Sequence, residues 1–352
     1  FAQNHRGPGI AWHEPTLPGE LGPGSNWLRF TLRIPRPRLW EPDAPHLYQV
    51  QVKVLAADGT VIDSARRQFG LRTFVIREDG PRKGVIELNG REIRLRGANT
   101  MGYEQLDVMR GDMPRLIDDL LLGKACQMNF LRITQRPVQE EIYDHCDRLG
   151  ILVQTDLPLF GFLRRSQFHE GVRQAGDMER LIRSHPACVL VSWINEPFPA
   201  AWGLKDWRHL NREELLSFMA SCAHLVRYHN PDRAIKPIDG DYDPPGPGLP
   251  DYHCYTLWYN GHGLPFGDLH QGWFLPGKPG WMQGCGEFGA EGLDPVELMQ
   301  RRYPASWLPQ PGEDPAAWTP SRIPDAQSYS MHFLFYDRPS SLAGWVAASQ
   351  AY

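Results

Sequence analysis

Two glutamates carry the chemistry this sequence can do. Glu196 stands in Trp193-Ile194-Asn195-Glu196-Pro197, and Glu287 stands in Gly286-Glu287-Phe288-Gly289. Each follows a short apolar run that reads as a strand. Two carboxylates in one cleft can cleave a glycosidic bond: one is protonated and gives its proton to the leaving oxygen, while the other attacks the anomeric carbon or activates water. A lone glutamate after a strand is more often a solvated loop charge. The two together, at matching strand ends with aromatic residues around them, point to a shared site. A separation of about 5–5.5 Å would make the pair retaining, and about 6.5–9.5 Å inverting. Asn195 would sit beside the acid and bind a substrate hydroxyl, and Arg132 could hold the second carboxylate ionised.

The elements that must position these groups fall into two textures. From about residue 25 to 72 the chain alternates polar and apolar residues, as in Tyr48-Gln49-Val50-Gln51-Val52-Lys53-Val54. Asp58-Gly59 supplies a hairpin turn before Val61. This pattern predicts a small antiparallel β-sandwich. After roughly Arg82 strands alternate with helices, which predicts a parallel sheet with crossover helices. The expected barrel strands are Ile93–Asn99, Asn129–Ile133, Ile151–Asp156, Cys188–Asn195, Ala234–Ile238, one around Tyr252–Tyr255, Trp281–Glu287 and Leu342–Val346. Expected helices begin at Asp112, with Leu116, Ile117, Leu120 and Leu121 on one face, and span Gln139–Leu149, a stretch near Met178–Arg183, and Asn211–His229. Barrel enzymes place their chemistry at the C-terminal ends of such strands. A Pro/Gly-rich link at 243–248 leaves no room for a fifth helix, and little chain follows the eighth strand, so the barrel is expected to be irregular.

Composition narrows the partners. The chain has 352 residues and a formal net charge of −4, which gives no reason to expect nucleic acid or an anionic membrane. No run approaches the ~18 apolar residues of a membrane span. The excess of Gly and Pro, 34 and 32 residues, points to long shaped loops. The six cysteines form no Cys-x-x-Cys pair and read as buried free thiols rather than a disulfide framework or zinc site. The opening Phe1-Ala2-Gln3-Asn4-His5 is neither a start methionine nor a signal peptide, so the chain reads as cut from something longer and its compartment stays open.

The ordered set of motifs resembles glycoside hydrolase family 2, the family of β-galactosidases, β-glucuronidases and β-mannosidases. Trp193-Ile194-Asn195-Glu196-Pro197 and Gly286-Glu287-Phe288-Gly289 look like its acid/base and nucleophile motifs. Leu39-Trp40-Glu41-Pro42, Phe69-Gly70-Leu71-Arg72, Leu88-Asn89-Gly90, Leu95-Arg96-Gly97-Ala98-Asn99, Cys146-Asp147-Arg148-Leu149-Gly150 and Ser184-His185-Pro186 match as well. The resemblance implies a multidomain β and α/β chain: an immunoglobulin-like β-sandwich followed by an irregular (β/α)8 TIM barrel. The expected divisions are 1–24 as a linker or remnant of an upstream sandwich, 25–78 as the immunoglobulin-like part and 79–352 as the barrel without its last helix.

Carried over residue by residue, Glu196 resembles the acid/base and Glu287 the nucleophile. Asn195 resembles the ligand of the sugar 2-hydroxyl, and Arg132 the arginine beside the nucleophile. Tyr255 is similar to a tyrosine that hydrogen-bonds the nucleophile, and Trp345 to the tryptophan that floors the sugar site. Asn99 and Trp258 complete the expected substrate contacts. After the first strand the family usually has Asn-Arg-His, and here Asn99-Thr100-Met101 stands. After the second it usually has Ser-His-Tyr-Pro, and here Thr134-Gln135-Arg136-Pro137 stands. The catalytic pair is kept while the rim has changed, so the expectation is an exo-acting retaining β-glycosidase with atypical substrate choice and neither metal nor other cofactor. A carbohydrate is the expected partner, and homo-oligomerisation is left open. Rival readings are an endo-acting β-glycanase of the same barrel clan and a non-catalytic carbohydrate-binding protein.

Overall fold

A β-hairpin comes early in the chain. The computed structural model describes residues 2–3, 22–26, 28, 31, 33–77, 80–82, 84–197, 208–240, 253, 286–287, 292–324 and 337–351. Strand β1 (Ala2–Gln3) pairs antiparallel with β2 (Tyr48–Leu55), which pairs antiparallel with β3 (Val61–Phe69). The turn sits where Asp58-Gly59 predicts it: Gly59 takes φ 87°, and the Asp58 carboxylate accepts from Thr60 N at 2.9 Å. The base of the hairpin is anchored by Tyr48, buried and stacked on Phe69 with ring centroids 5.6 Å apart. Val52, Leu55, Val61 and Ile62, farther along, are exposed.

A three-stranded antiparallel sheet that the alternation did not foretell follows: β4 (Phe74–Ile76), β5 (Ile86–Leu88) and β6 (Arg91–Glu92), in that order. Its Asn89-Gly90 turn has φ of 51° and 75°, the paired left-handed conformation that matches strand twist in a two-residue hairpin.

Five parallel strands form the core of the next region. They are β7 (Gly97–Thr100), β8 (Phe130–Ile133), β9 (Leu152–Asp156), β10 (Cys188–Ser192) and β12 (Ala234–Ile235), and their spatial order follows the chain. Sequential order in a parallel sheet is what successive strands of a barrel give. β9 and β10 are buried throughout, as expected of strands covered on both faces. The fourth strand breaks at Trp193 and resumes as β11 (Ile194–Asn195), paired with β13 (Ile238–Asp239), which continues the fifth strand past Lys236-Pro237. Proline donates no ladder hydrogen bond, yet its carbonyl accepts from Trp193 N at 3.1 Å, which carries the pairing across the break.

Helices fill the crossovers. One that the sequence did not announce, α1 (Tyr103–Arg110), ends at left-handed Gly111. Asp112 caps α2 (Met113–Ala125), accepting from Arg115 N at 3.1 Å. Leu116 and Leu120 are buried, but Leu121 is 44% exposed. At 100° per residue Leu121 lies about 140° round from Leu116, off the seam that Leu116 and Leu120 share. α3 (Glu140–Leu149) stops at Gly150, φ 72°. α4 (Phe168–Ile182) is much longer than the stretch near Met178–Arg183 that the sequence suggested. Gly171 and Gly176 mask its helical pattern, and packing explains both. A Cβ on Gly171 would stand 2.7 Å from Phe218 Cε2, and one on Gly176 2.7 Å from Leu225 Cδ2, both on α5 (Arg212–His229). The glycines let the two helices approach closely. α5 begins with a reciprocal capping box between Asn211 and Glu214.

The hairpin and the barrel strands belong to one compact unit, residues 1–249; residues 250–352 form another. The second unit has its own apolar core of Leu293, Met299, Trp318, Leu342, Trp345 and Val346, contributed in part by α6 (Val296–Arg302) and α7 (Leu342–Ala351). Here the sequence expectation is corrected: Leu342–Val346, read as the eighth strand, is the first part of helix α7. A five-residue apolar run cannot by itself be told from a buried helix segment. The alanines that follow favour helix, and the Ser341 hydroxyl accepts from Gly344 N at 3.1 Å to start it.

Candidate active site

The C-terminal ends of the second to fifth strands meet in a buried ionic cluster. Arg132, at the end of β8, is 2% exposed. Its Nε and Nη2 each approach Asp156 Oδ2 at 2.8 Å, and its Nη1 lies 2.9 Å from Asp239 Oδ1. Nη2 also donates to Asn195 Oδ1 at 2.6 Å. Gln154 Nε2 donates to both carboxylates, 2.8 Å to Asp156 Oδ1 and 2.6 Å to Asp239 Oδ2. Lys236 forms an ion pair with Asp239. Two cations therefore face two anions with no net charge, the condition under which such groups tolerate removal from water. Burial pushes the Asp156 carboxyl above the usual range, and Arg132 opposes that shift.

This cluster sets the backbone that presents Glu196. Asn195 N donates to Leu159 O at 2.9 Å, and its carbonyl accepts from Gly161 N at 2.9 Å. Glu196 N donates to Asp239 O at 2.8 Å. Glu196 itself takes φ 46°, a left-handed conformation uncommon for a residue with a side chain and held only where its surroundings determine it. Asn99, half-buried on β7, lies in register opposite Arg132 on β8.

In the second unit Glu287 Oε2 lies 3.5 Å from Nδ1 of His253, a side chain with no exposed surface. Sequence reasoning read His253 only as part of a strand; a histidine set among Tyr252, Cys254 and Tyr255 was the available signal. Gln154, Lys236 and Asp239 were missed too, because an ion pair across strands leaves no local pattern. Tyr255 and Trp258 lie outside the described residues. Trp345 is fully buried in the second unit's core, on a helix rather than on the expected strand.

A second group of chemical interest lies where the hairpin region meets the barrel. His185 Nδ1 is 2.7 Å from Asp147 Oδ2, with Asp144 Oδ1 at 3.8 Å from the same nitrogen, and the three side chains could gather round a metal ion. Asp147 is already committed to structure: its Oδ1 accepts from Ala187 N at 2.9 Å and its carbonyl accepts from Trp40 Nε1 at 2.8 Å. Burial raises the Asp147 carboxyl, and the hydrogen bond with His185 opposes the rise. These bonds tie the Trp40 segment to α3.

Comparison with known proteins places the chain in a family. Residues 14–72 match a model described as glycosyl hydrolases family 2, and residues 81–213 match the TIM barrel domain of the same family. Asn195 and Glu196 fall inside the matched barrel segment; Glu287 lies beyond it. A β-galactosidase of Thermoanaerobacter pseudethanolicus is 24% identical over 210 residues, 58% of this chain and 26% of that protein. A β-D-mannosidase structure from Dictyoglomus thermophilum covers 91% of the chain with a TM-score of 0.67 and 21% identity. An FMN-binding β-glucuronidase structure from Facaelibacterium prausnitzii L2-6 covers 74% with a TM-score of 0.57 and 20% identity. At such identities the likeness to the solved structures is one of fold. The chain spans about a quarter of the β-galactosidase's length and 40% of each of these two solved chains. Two models of one family, matching successive stretches that together exceed half of the sequence, show that the chain belongs to glycosyl hydrolases family 2, with an immunoglobulin-like β domain followed by a TIM barrel.

Proposed function

We propose that the chain carries a retaining β-glycosidase site that hydrolyses a terminal β-linked sugar. Glu287 attacks the anomeric carbon and forms a glycosyl-enzyme ester. Glu196 gives its proton to the leaving oxygen, then takes one from the water that opens the ester. A retaining mechanism of this kind calls for a carboxylate separation of about 5–5.5 Å. The observation that carries the reading is the setting of Glu196: it follows Asn195, whose amide oxygen takes a hydrogen bond from buried Arg132 at the strand ends of a family-matched barrel. His253, beside Glu287, orients the nucleophile. Asn195 holds a hydroxyl of the sugar in the subsite, and Asn99, Tyr255 and Trp258 are the further sugar contacts of this proposal; Trp345, buried in its own core, is not among them.

The named relatives act on different sugars, so the test uses a panel: aryl β-galactoside, β-glucuronide, β-mannoside and β-glucoside, each with wild type, Glu196→Gln and Glu287→Gln. The reading expects hydrolysis of at least one glycoside by wild type and a loss of about 10³-fold or more in Glu287→Gln. A panel left untouched by wild type, or full activity in Glu287→Gln, would contradict it.

A further inference from the structure

Two guanidinium groups converge on a single carbonyl oxygen at one edge of the first unit. Arg72 Nη2 donates to Cys188 O at 2.8 Å, and Arg233 Nη1 donates to the same oxygen. Arg233 is matched by Glu179, which takes its Nε at 2.8 Å and its Nη2 at 3.0 Å. Arg72 has no such counter-ion among the described residues. Its other acceptor is Pro186 O, neutral, at 3.1 Å. Burial, with help from Arg233, pulls the Arg72 guanidinium down to about 10.

A cavity of about 330 Å³ opens beside these groups, lined by Arg72, Arg227, Asp232 and Arg233 together with Thr73 and apolar residues of β4 and β12. Arg227, in the last turn of α5, is exposed and pairs with no carboxylate among the described residues. Three guanidiniums thus stand against two carboxylates, Glu179 and Asp232, and both Glu179 oxygens already accept from Arg233, with Asn230 Nδ2 adding a third bond at 2.8 Å. A desolvated cation whose hydrogen bonds go only to neutral carbonyls is costly, and a guanidinium matches an oxyanion in shape and charge.

We propose that this cavity is a binding site for a small oxyanion, a phosphoryl or carboxylate group held between Arg72 and Arg227. The cavity surrounds the start of β12, whereas Asp239 and its cluster lie beyond the other end of that strand. The N-terminal face of a barrel serves stability rather than chemistry, so the anion acts as a stabilising ligand and does not compete with substrate. The site stands independently of the glycosidase reading.

The test is calorimetric titration and thermal melting of the whole chain with inorganic phosphate and, separately, malonate, each against sodium chloride at matched ionic strength. Saturable binding and a raised Tm are expected from at least one of the two. The tighter arm identifies the group, phosphoryl or carboxylate. Arg227→Ala should weaken binding about tenfold, the scale of one charge-assisted contact, without moving the Tm of the anion-free protein. Arg72→Lys, which keeps the charge but loses the fork, should weaken it as well. Chloride giving the same stabilisation, neither anion binding, or Arg227→Ala titrating like wild type would overturn the proposal.

Discussion

Arg132 Nη2 donates to Asn195 Oδ1 at 2.6 Å, and that single contact fixes which way the Asn195 amide faces. With the oxygen turned to the guanidinium, Nδ2 is left without a partner among the described residues. Asn195 therefore offers a donor to whatever occupies the space beside Glu196. Asn195→Asp keeps an oxygen for Arg132 but replaces the outward donor with an acceptor. It also brings a third carboxylate into a buried cluster of two cations and two anions, so its melting temperature should fall, while kcat/KM of the folded variant falls about 10²-fold, roughly the loss of one transition-state hydrogen bond. A 2-deoxy substrate should lose little further in the variant. Additive losses would mean that Asn195 does not read that hydroxyl.

Arg132 is also the cation that makes two buried acids tolerable. Replacing it by Met leaves Asp156 and Asp239 with less compensation in a water-free setting, and removing one partner of a buried ion pair typically destabilises by about 3–5 kcal/mol. Urea unfolding of Arg132→Met should show a loss of that size. A change below about 1 kcal/mol would show that water reaches the cluster.

How much of this was legible beforehand differs by element. The barrel strands β8 to β10 were readable because each carries a short apolar run, and α5 because Asn211 and Glu214 spell out its cap; β7, Gly97-Ala98-Asn99-Thr100, has no such run and begins four residues after the expected Ile93. α4 was largely hidden, since Gly171 and Gly176 lower helical propensity for the sake of close contact with Phe218 and Leu225, and propensity knows nothing of partners. The Leu342–Val346 run was misassigned because strand and buried helix share the same apolar composition. The position of Glu196 directly after the fourth strand was legible from its motif. The cluster beneath it was not: Gln154 and Asp239 are 85 positions apart, and only the sheet brings them together.

Gly150 offers a test of the junction between the Trp40 segment and α3. Its φ is 72°, and a Cβ there would lie 2.0 Å from the backbone oxygen of Pro42. Left-handed conformation alone costs a side chain roughly 1–2 kcal/mol, and the clash with a main-chain atom adds to it. Gly150→Ala should therefore lower unfolding free energy by more than about 2 kcal/mol. An unchanged urea midpoint would contradict the packing of Pro42 against α3.

Thiol chemistry reports on burial directly. Burial holds the Cys222 thiol up at about 12 and pushes Cys146 and Cys188 well above the usual thiol range, so none forms a nucleophilic thiolate near neutrality. Cys126 is exposed. Brief alkylation of the native chain at pH 8, followed by peptide mass mapping, should label Cys126 and spare Cys146, Cys188 and Cys222. Rapid labelling of Cys188 would mean that the β10 core opens readily.

In the proposed mechanism Glu287 becomes covalently attached to sugar while Glu196 handles the proton. A 2-deoxy-2-fluoro glycoside of the preferred sugar, with a good leaving group, slows both steps by destabilising positive charge at the anomeric carbon, and it slows release enough to trap the ester. Mass spectrometry of the treated chain should show one added fluoroglycosyl group, mapped to the peptide that contains Glu287 and absent from Glu287→Gln. An adduct on another residue, or the same adduct in Glu287→Gln, would contradict the account.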